Sequence, residues 1–198
     1  ILQAKIYNGN EYCYYCGSWY LVEPVKWRLD TPSATSGYVS EDTLAVMTNI
    51  VYVGRYANHS LGLGEGYATV NDGTSYSFVA DYLNNFSAVD KEHLVEFNNN
   101  VENFAVSNDS YSTISSSIFL SSNEELNNIF GSYNAEFSDL VKDYLKFNNI
   151  NSMYFVRDLG SNLNNILCHT ESGSTINQRP TNYLGMRFTI KVTEFVCI

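Results

Sequence analysis

The last third of the chain constrains the fold most. From Ser152 onward, strand-like runs alternate with polar connections, and each run stops at a recognisable breaker. Ser152 to Val156 leads into a strand that ends at Arg157-Asp158. Asn165 to Thr170 is a second strand and meets the turn signal Glu171-Ser172-Gly173. Ser174 to Asn177 breaks at Pro180, and Leu184 to Val192 alternates with β periodicity. Such a segment folds as sheet. Its polar positions are Asn162, Asn164, Asn165, His169, Gln178, Arg179 and Asn182. The expectation is a display surface on a β scaffold rather than a catalytic cavity.

The rest of the chain supplies the remaining elements. Gln3 to Tyr7 reads as a strand, and Asn8-Gly9-Asn10 is a strong hairpin turn. Glu11 to Tyr15 and Trp19 to Val22 read as strands around Cys16-Gly17-Ser18, and Val25 to Leu29 is another. Thr31 to Gly37 is a loop, Thr43 to Val53 is one apolar strand or two, and Asn58 to Thr74 is a glycine-rich loop. Tyr76 to Phe86 has helical spacing, with Phe78, Val79, Tyr82, Leu83 and Phe86 on one face. Val89 to Phe97 reads as a short helix or turn, and Asp109 to Ser117 as a loop. Ser122 caps a helix from Asn123 to Phe130, with Glu125 placed as in a capping box. Ala135 to Phe147 is the clearest helix. Strands first, helices in the middle and strands last predict an α+β fold, with two to three helices in the middle. The 198 residues form one domain. Because the chain begins at Ile1, the expectation is a domain of a longer protein.

Composition narrows the partners. The net charge is −10 and the pI about 4.6, which argues against nucleic acid and anionic membrane, since both need a basic footprint. No apolar run is long enough to span a bilayer, so membrane insertion is not expected. Charged residues are only 16% while Tyr numbers 16, alongside abundant Asn, Ser and Gly. Recognition surfaces use this chemistry: Tyr gives rigid contact area, and small polar residues give adaptable hydrogen bonds. Codon bias explains the Asn content equally well, but not the scarcity of Lys.

The motifs that would indicate catalysis or metal are weak. Cys13-x-x-Cys16 has zinc-ribbon spacing, but Cys168 and Cys197 form no second such pair. The same pair as a redox site would need a helix N-terminus, and it lies in a hairpin. A disulfide between Cys168 and Cys197 stays open. Four unpaired cysteines, most of them packed as small hydrophobes, is the favoured reading. Gly62-x-Gly64-x-Gly66 lacks a following helix and a P-loop lysine. His59, His93 and His169 have no ligand spacing. No metal and no cofactor are implied.

Four motifs carry a family resemblance. Tyr20-Leu-Val-Glu-Pro-Val-Lys-Trp27-Arg-Leu, Ser77-Phe-Val-Ala-Asp-Tyr-Leu-Asn-Asn-Phe86, Ile118-Phe-Leu-Ser-Ser-Asn-Glu-Glu-Leu126, and the closing set Tyr154-Phe-Val-Arg-Asp-Leu-Gly160 with Gly185-Met-Arg-Phe188 occur in order. They resemble a bacterial and phage domain family of the C-type-lectin-like superfamily, which includes formylglycine-generating enzymes and phage adhesins. The match is poor from Thr31 to Thr74. The resemblance implies a C-type-lectin-like fold with N- and C-terminal strands paired, and Leu184 to Val192 bonded to a strand from the first 30 residues. It also implies a non-enzymatic binding module on a virion or extracellular surface. That module would attach to a host-surface glycan or protein, or to other virion subunits as a structural part. A homo-oligomer fits either role. A degenerate formylglycine-type enzyme is a further alternative, but the reactive cysteine pair is missing. The C-terminal loops would bind, with Tyr183 as anchor and Asn162, Asn164, His169, Gln178, Arg179 and Asn182 as polar contacts. Loop Asn58 to Thr74 would assist. Arg157 and Arg187 match family positions and read as structural groups.

Overall fold

The computed structural model describes residues 3–30, 43–56, 86, 88–102, 111–160 and 165–192. The chain opens with β1 (Gln3–Tyr7), β2 (Asn10–Tyr15) and β3 (Ser18–Leu21), paired in order as an antiparallel sheet. Both connections are two-residue turns with positive φ throughout: 49° at Asn8 and 79° at Gly9, then 45° at Cys16 and 88° at Gly17. The twist of such turns matches that of the strands they join.

Next come β4 (Trp27–Leu29), β5 (Thr43–Met47), β6 (Asn49–Ile50), β7 (Val53–Gly54) and the short helix α1 (Ala88–Glu92). The hairpin β8 (Phe97–Glu102) and β9 (Tyr111–Ser116) leads to β10 (Ile118–Leu120) and helix α2 (Asn123–Phe130). After β11 (Glu136–Phe137) and helix α3 (Asp139–Phe147) the chain stays in strands: β12 (Met153–Leu159), β13 (Ile166–Thr170), β14 (Thr175–Gln178), β15 (Leu184–Met186) and β16 (Phe188–Val192).

Two sheets form the body. One has the order β10-β16-β5-β4 and is antiparallel. The other has the order β14-β13-β12-β15-β7, with β12 and β15 parallel. They converge where Ser121 N–H donates to the Arg187 carbonyl at 2.8 Å and Arg157 N–H donates to the Ser121 carbonyl at 2.9 Å. Met47, Ile50, Phe119, Phe155 and Phe188 are fully buried between them. Burial of this apolar surface is the main favourable term in folding. Packing is tight enough that a Cβ on Gly185 would sit 2.6 Å from Ile50 Cγ2, which explains glycine there.

The helices follow local rules. Ser122 Oγ accepts from Glu125 N–H at 3.1 Å, and the Glu125 carboxylate accepts from Ser122 N–H at 2.9 Å, the reciprocal capping box expected for α2. Gly131, at φ 65°, ends it in the left-handed region. Helix α3 starts later than its apolar spacing predicts. Glu136–Phe137 is drawn into a parallel bridge with Asn49–Ile50, and Ser138 is the cap.

The expected α+β, C-type-lectin-like fold is corrected. The described residues are mostly β, in five sheets, and the helices are short and few. The expected loop Asp109 to Ser117 is largely strand, because β8 and β9 form a ladder along polar Asn- and Ser-rich runs. There the backbone hydrogen bonds, rather than apolar periodicity, define the strands. The pairing of chain ends is corrected too. β16 pairs with β5 and β10, and β4 joins only beyond β5, while β1 to β3 stand as a separate sheet. The poorly matching segment thus contains β5, a central buried strand. The expected run Leu184 to Val192 is two strands, divided at Arg187 between the two sheets. The expected helix Tyr76 to Phe86 and loop Asn58 to Thr74 lie, Phe86 apart, outside the described residues. No helix among the described residues is long and apolar enough to cross a membrane.

Candidate functional site

The sequence-predicted contacts divide into three groups. Asn162 and Asn164 lie outside the described residues. His169 is not on a surface: it is fully buried on β13, which is covered on both faces. Its Nε2 lies 2.6 Å from Asn123 Oδ1, and its Nδ1 lies 3.2 Å from Thr175 Oγ1. An amide oxygen only accepts, so Nε2 carries a proton. The ring also stacks on Tyr133 at 4.2 Å. Burial, helped by the nearby Arg187 charge, pushes its pKa down to about 4. These partners make His169 a core histidine.

The third group does converge. Gln178, Arg179, Asn182 and Tyr183 share one turn, closed by Asn182 Nδ2 donating to Gln178 Oε1 at 2.8 Å and Asn182 N–H donating to the Arg179 carbonyl at 3.1 Å. Arg179 and Tyr183 are exposed. The Arg55 guanidinium lies 4.4 Å from the Tyr183 ring centre, and its Nη2 donates to the Tyr183 hydroxyl.

Arg157 and Arg187 are structural. Arg157 bonds the Leu120 carbonyl and the Glu125 carboxylate, each at 2.9 Å. Asp158 accepts from Asn123 N–H at the start of α2, and burial raises its pKa against the opposing pull of Arg157. Arg187 is fully buried and bonds the Met47 carbonyl at 2.8 Å, the Asn134 carbonyl at 3.0 Å and the Tyr154 hydroxyl at 3.0 Å.

The sequence reading missed the most exposed aromatic surface. Directly paired residues share a sheet face. The registers Gln3↔Tyr14, Lys5↔Tyr12, Tyr12↔Leu21 and Tyr14↔Trp19 therefore put Lys5, Tyr7, Tyr12, Tyr14, Trp19 and Leu21 on one face of β1–β3. Tyr7 is 62% exposed and Trp19 38%. Rings lie 5.2 Å apart for Tyr14–Trp19 and 6.5 Å for Tyr7–Tyr12. The Lys5 ammonium sits 4.0 Å above Trp19. It is the single charged side chain among the strand residues of that face. The signal was in the sequence, as alternation in Lys5-x-Tyr7, Tyr12-x-Tyr14 and Trp19-x-Leu21. Alternation alone does not say which face is covered.

The opposite face meets α3. Tyr20 Oη donates to the Asp143 carboxylate at 2.7 Å, which raises the Tyr20 pKa, and Tyr15 lies against Tyr144 at 5.9 Å. A cleft of about 350 Å³ opens between β3 and α3, lined by Trp19, Tyr20, Leu21, Asp139 and Asp143 among others. Lys142, also on its wall, is paired with Glu171 at 2.6 Å.

Among the described residues no group of three or more His, Cys, Asp or Glu side chains is placed to hold a metal ion. Cys16 is exposed in its turn and Cys13 half-buried. Cys168 is buried, and burial pushes its thiol well above the ordinary range, so it stays protonated. Cys197 lies outside the described residues. No family model, curated protein or solved structure matches this chain. The resemblance rests on its four motifs alone.

Proposed function

We propose that this chain is a non-enzymatic binding module that recognises a saccharide on the aromatic face of β1–β3. The observation that carries the reading is the set of Tyr7, Tyr12, Tyr14 and Trp19 rings, paired as Tyr7–Tyr12 and Tyr14–Trp19 on one face, with Tyr7, Tyr14 and Trp19 exposed and Tyr12 half-buried. Exposed aromatic area costs solubility, and monomeric proteins rarely keep it grouped without a partner. The faces of these rings carry negative π density. That density attracts the polarised C–H groups on the flat side of a sugar ring. The phenol hydroxyls, with Gln3 and Asn10 on the same face, supply hydrogen bonds to sugar hydroxyls. A host-surface glycan bound from a virion or extracellular surface is the setting this reading favours.

The test is a glycan array followed by titration calorimetry on the best ligand. Trp19→Ala should weaken binding about tenfold or more, in line with loss of a central aromatic contact. Unchanged affinity in both Trp19→Ala and Tyr14→Ala, with folding intact, defeats the assignment.

One observation favours the rival, a module that binds sister subunits. Ile6 is 80% exposed on the other face of β1, and β1 is the outer strand of its sheet. Exposed edge strands invite pairing with another chain. A dimer in sedimentation analysis that Ile6→Lys abolishes supports this rival.

A further inference from the structure

We propose a second recognition point, for the carboxylate of an acidic sugar, at Arg55 and Tyr183. It stands independently of the aromatic face. The strand pairing Leu184↔Gly54 places Tyr183 and Arg55 opposite each other one step beyond the ladder. Their positions are fixed from behind: Tyr56 N–H donates to the Pro180 carbonyl at 2.9 Å, and the Tyr56 ring is buried against Phe155. The Arg55 head therefore sits on a rigid base at an exposed edge, with Tyr183 40% exposed above it.

The hydrogen bonding of this head is half complete. Nη2 donates to the Tyr183 hydroxyl, whereas Nε is buried and has no acceptor among the described residues. An orphaned buried donor is destabilising. Lys26, Lys142 and Arg157, by contrast, each have a carboxylate partner. Nε and Nη2 form the edge of a guanidinium that grips a planar carboxylate with two parallel N–H bonds. Here the phenol oxygen occupies half of that edge. A carboxylate that displaces it accepts from Nη2 and Nε together and satisfies the orphan. The Tyr183 ring can swing aside because it is exposed, and it then offers a stacking face to the attached sugar. Arg179, exposed in the same turn, adds positive potential in a protein of net charge −10. A carboxylate on a sugar fits better than a bare tetrahedral anion, because the fork is planar and the neighbouring surface is aromatic.

The experiment follows the Arg55 Nε–Hε resonance by NMR while the full chain is titrated with glucuronate, galactose or inorganic sulfate. Glucuronate should move that resonance saturably, and galactose should not. Arg55→Gln should reduce glucuronate affinity about tenfold, while Tyr183→Phe, which removes the competing phenol, should raise it about twofold to fivefold. A structural Arg–Tyr pair alone predicts no gain in Tyr183→Phe. Equal shifts with sulfate and glucuronate overturn the sugar-acid assignment, and no saturable shift overturns the site. Trp19→Ala should leave this titration unchanged, so failure here and failure of the aromatic face are read separately.

Discussion

The sheet β1–β3 and the two-sheet body are both built from short β-strands, yet they use aromatic side chains in opposite ways. In the body, Phe119, Tyr154, Phe155 and Phe188 are fully buried, and Arg187 is enclosed with its donors on carbonyls and a phenol. In β1–β3, Tyr7, Tyr14 and Trp19 each contact a neighbouring ring but stay open to solvent. Ordering there comes from a regular ladder, two tight turns and ring contacts rather than from a core. The body is thus the stability element, and the small sheet is a surface that stability holds in place.

The sharpest test of this division is Arg187→Ala. It removes the donors that serve the Met47 and Asn134 carbonyls, leaves the Tyr154 hydroxyl only its bond to the Tyr133 carbonyl, and opens a cavity. Urea unfolding should show a loss of about 4 kcal/mol, the range for breaking a buried polar network. A loss under about 1 kcal/mol would mean that the two sheets are held together elsewhere.

A pH scan probes the body next. The folded-state pKa of His169, about 4, lies below its ordinary 6.5. As pH falls, the unfolded chain takes up the proton first. The stability tied to the neutral ring is complete above pH 6.5 and is lost as pH falls to about 4. His169→Gln should flatten that part of the profile. An equally steep profile in the variant removes His169 as the cause.

The small sheet should behave in the reverse manner. Trp19→Ala, about tenfold weaker for saccharide, should change global stability by less than about 0.5 kcal/mol, as expected of a surface position. A large stability loss would make β1–β3 part of the core after all. The smallest effect concerns the turn. Cys16 sits at φ 45°, a conformation that Asn adopts more readily. Cys16→Asn should stabilise the hairpin by about 0.5 kcal/mol and slow amide exchange in β2 and β3. Faster exchange would show that the thiol contributes more than its backbone strain costs.

What the sequence discloses follows the range of the interactions involved. The Ser122–Glu125 capping box and the Asn8-Gly9 turn depend on residues within three positions, and both are legible. The β8–β9 ladder is not, because Asn98-Asn-Asn100 and Ser115-Ser-Ser117 have no apolar alternation to read. The division of Leu184 to Val192 is hidden for another reason. Alternation continues through Arg187, and only the partners on either side show that two sheets share the run. His169 reads as polar and therefore exposed, yet β13 is covered on both faces and Asn123 and Thr175 satisfy its ring. Tyr183 was legible as an exposed aromatic in a turn, but its partner Arg55 lies 128 positions away.

The shared run has a mechanical consequence. Force entering at the Val192 end travels along β16, which is bonded on both sides by β10 and β5 and is therefore loaded in shear. It then crosses the bend at Arg187, where the guanidinium ties the path to Met47 in one sheet and Tyr154 in the other. Three residues of β15 carry it on to Tyr183. Tension between a ligand held at that tyrosine and an anchor at the far end of β16 thus runs through two largely buried strands, while β1–β3 lies off the load path.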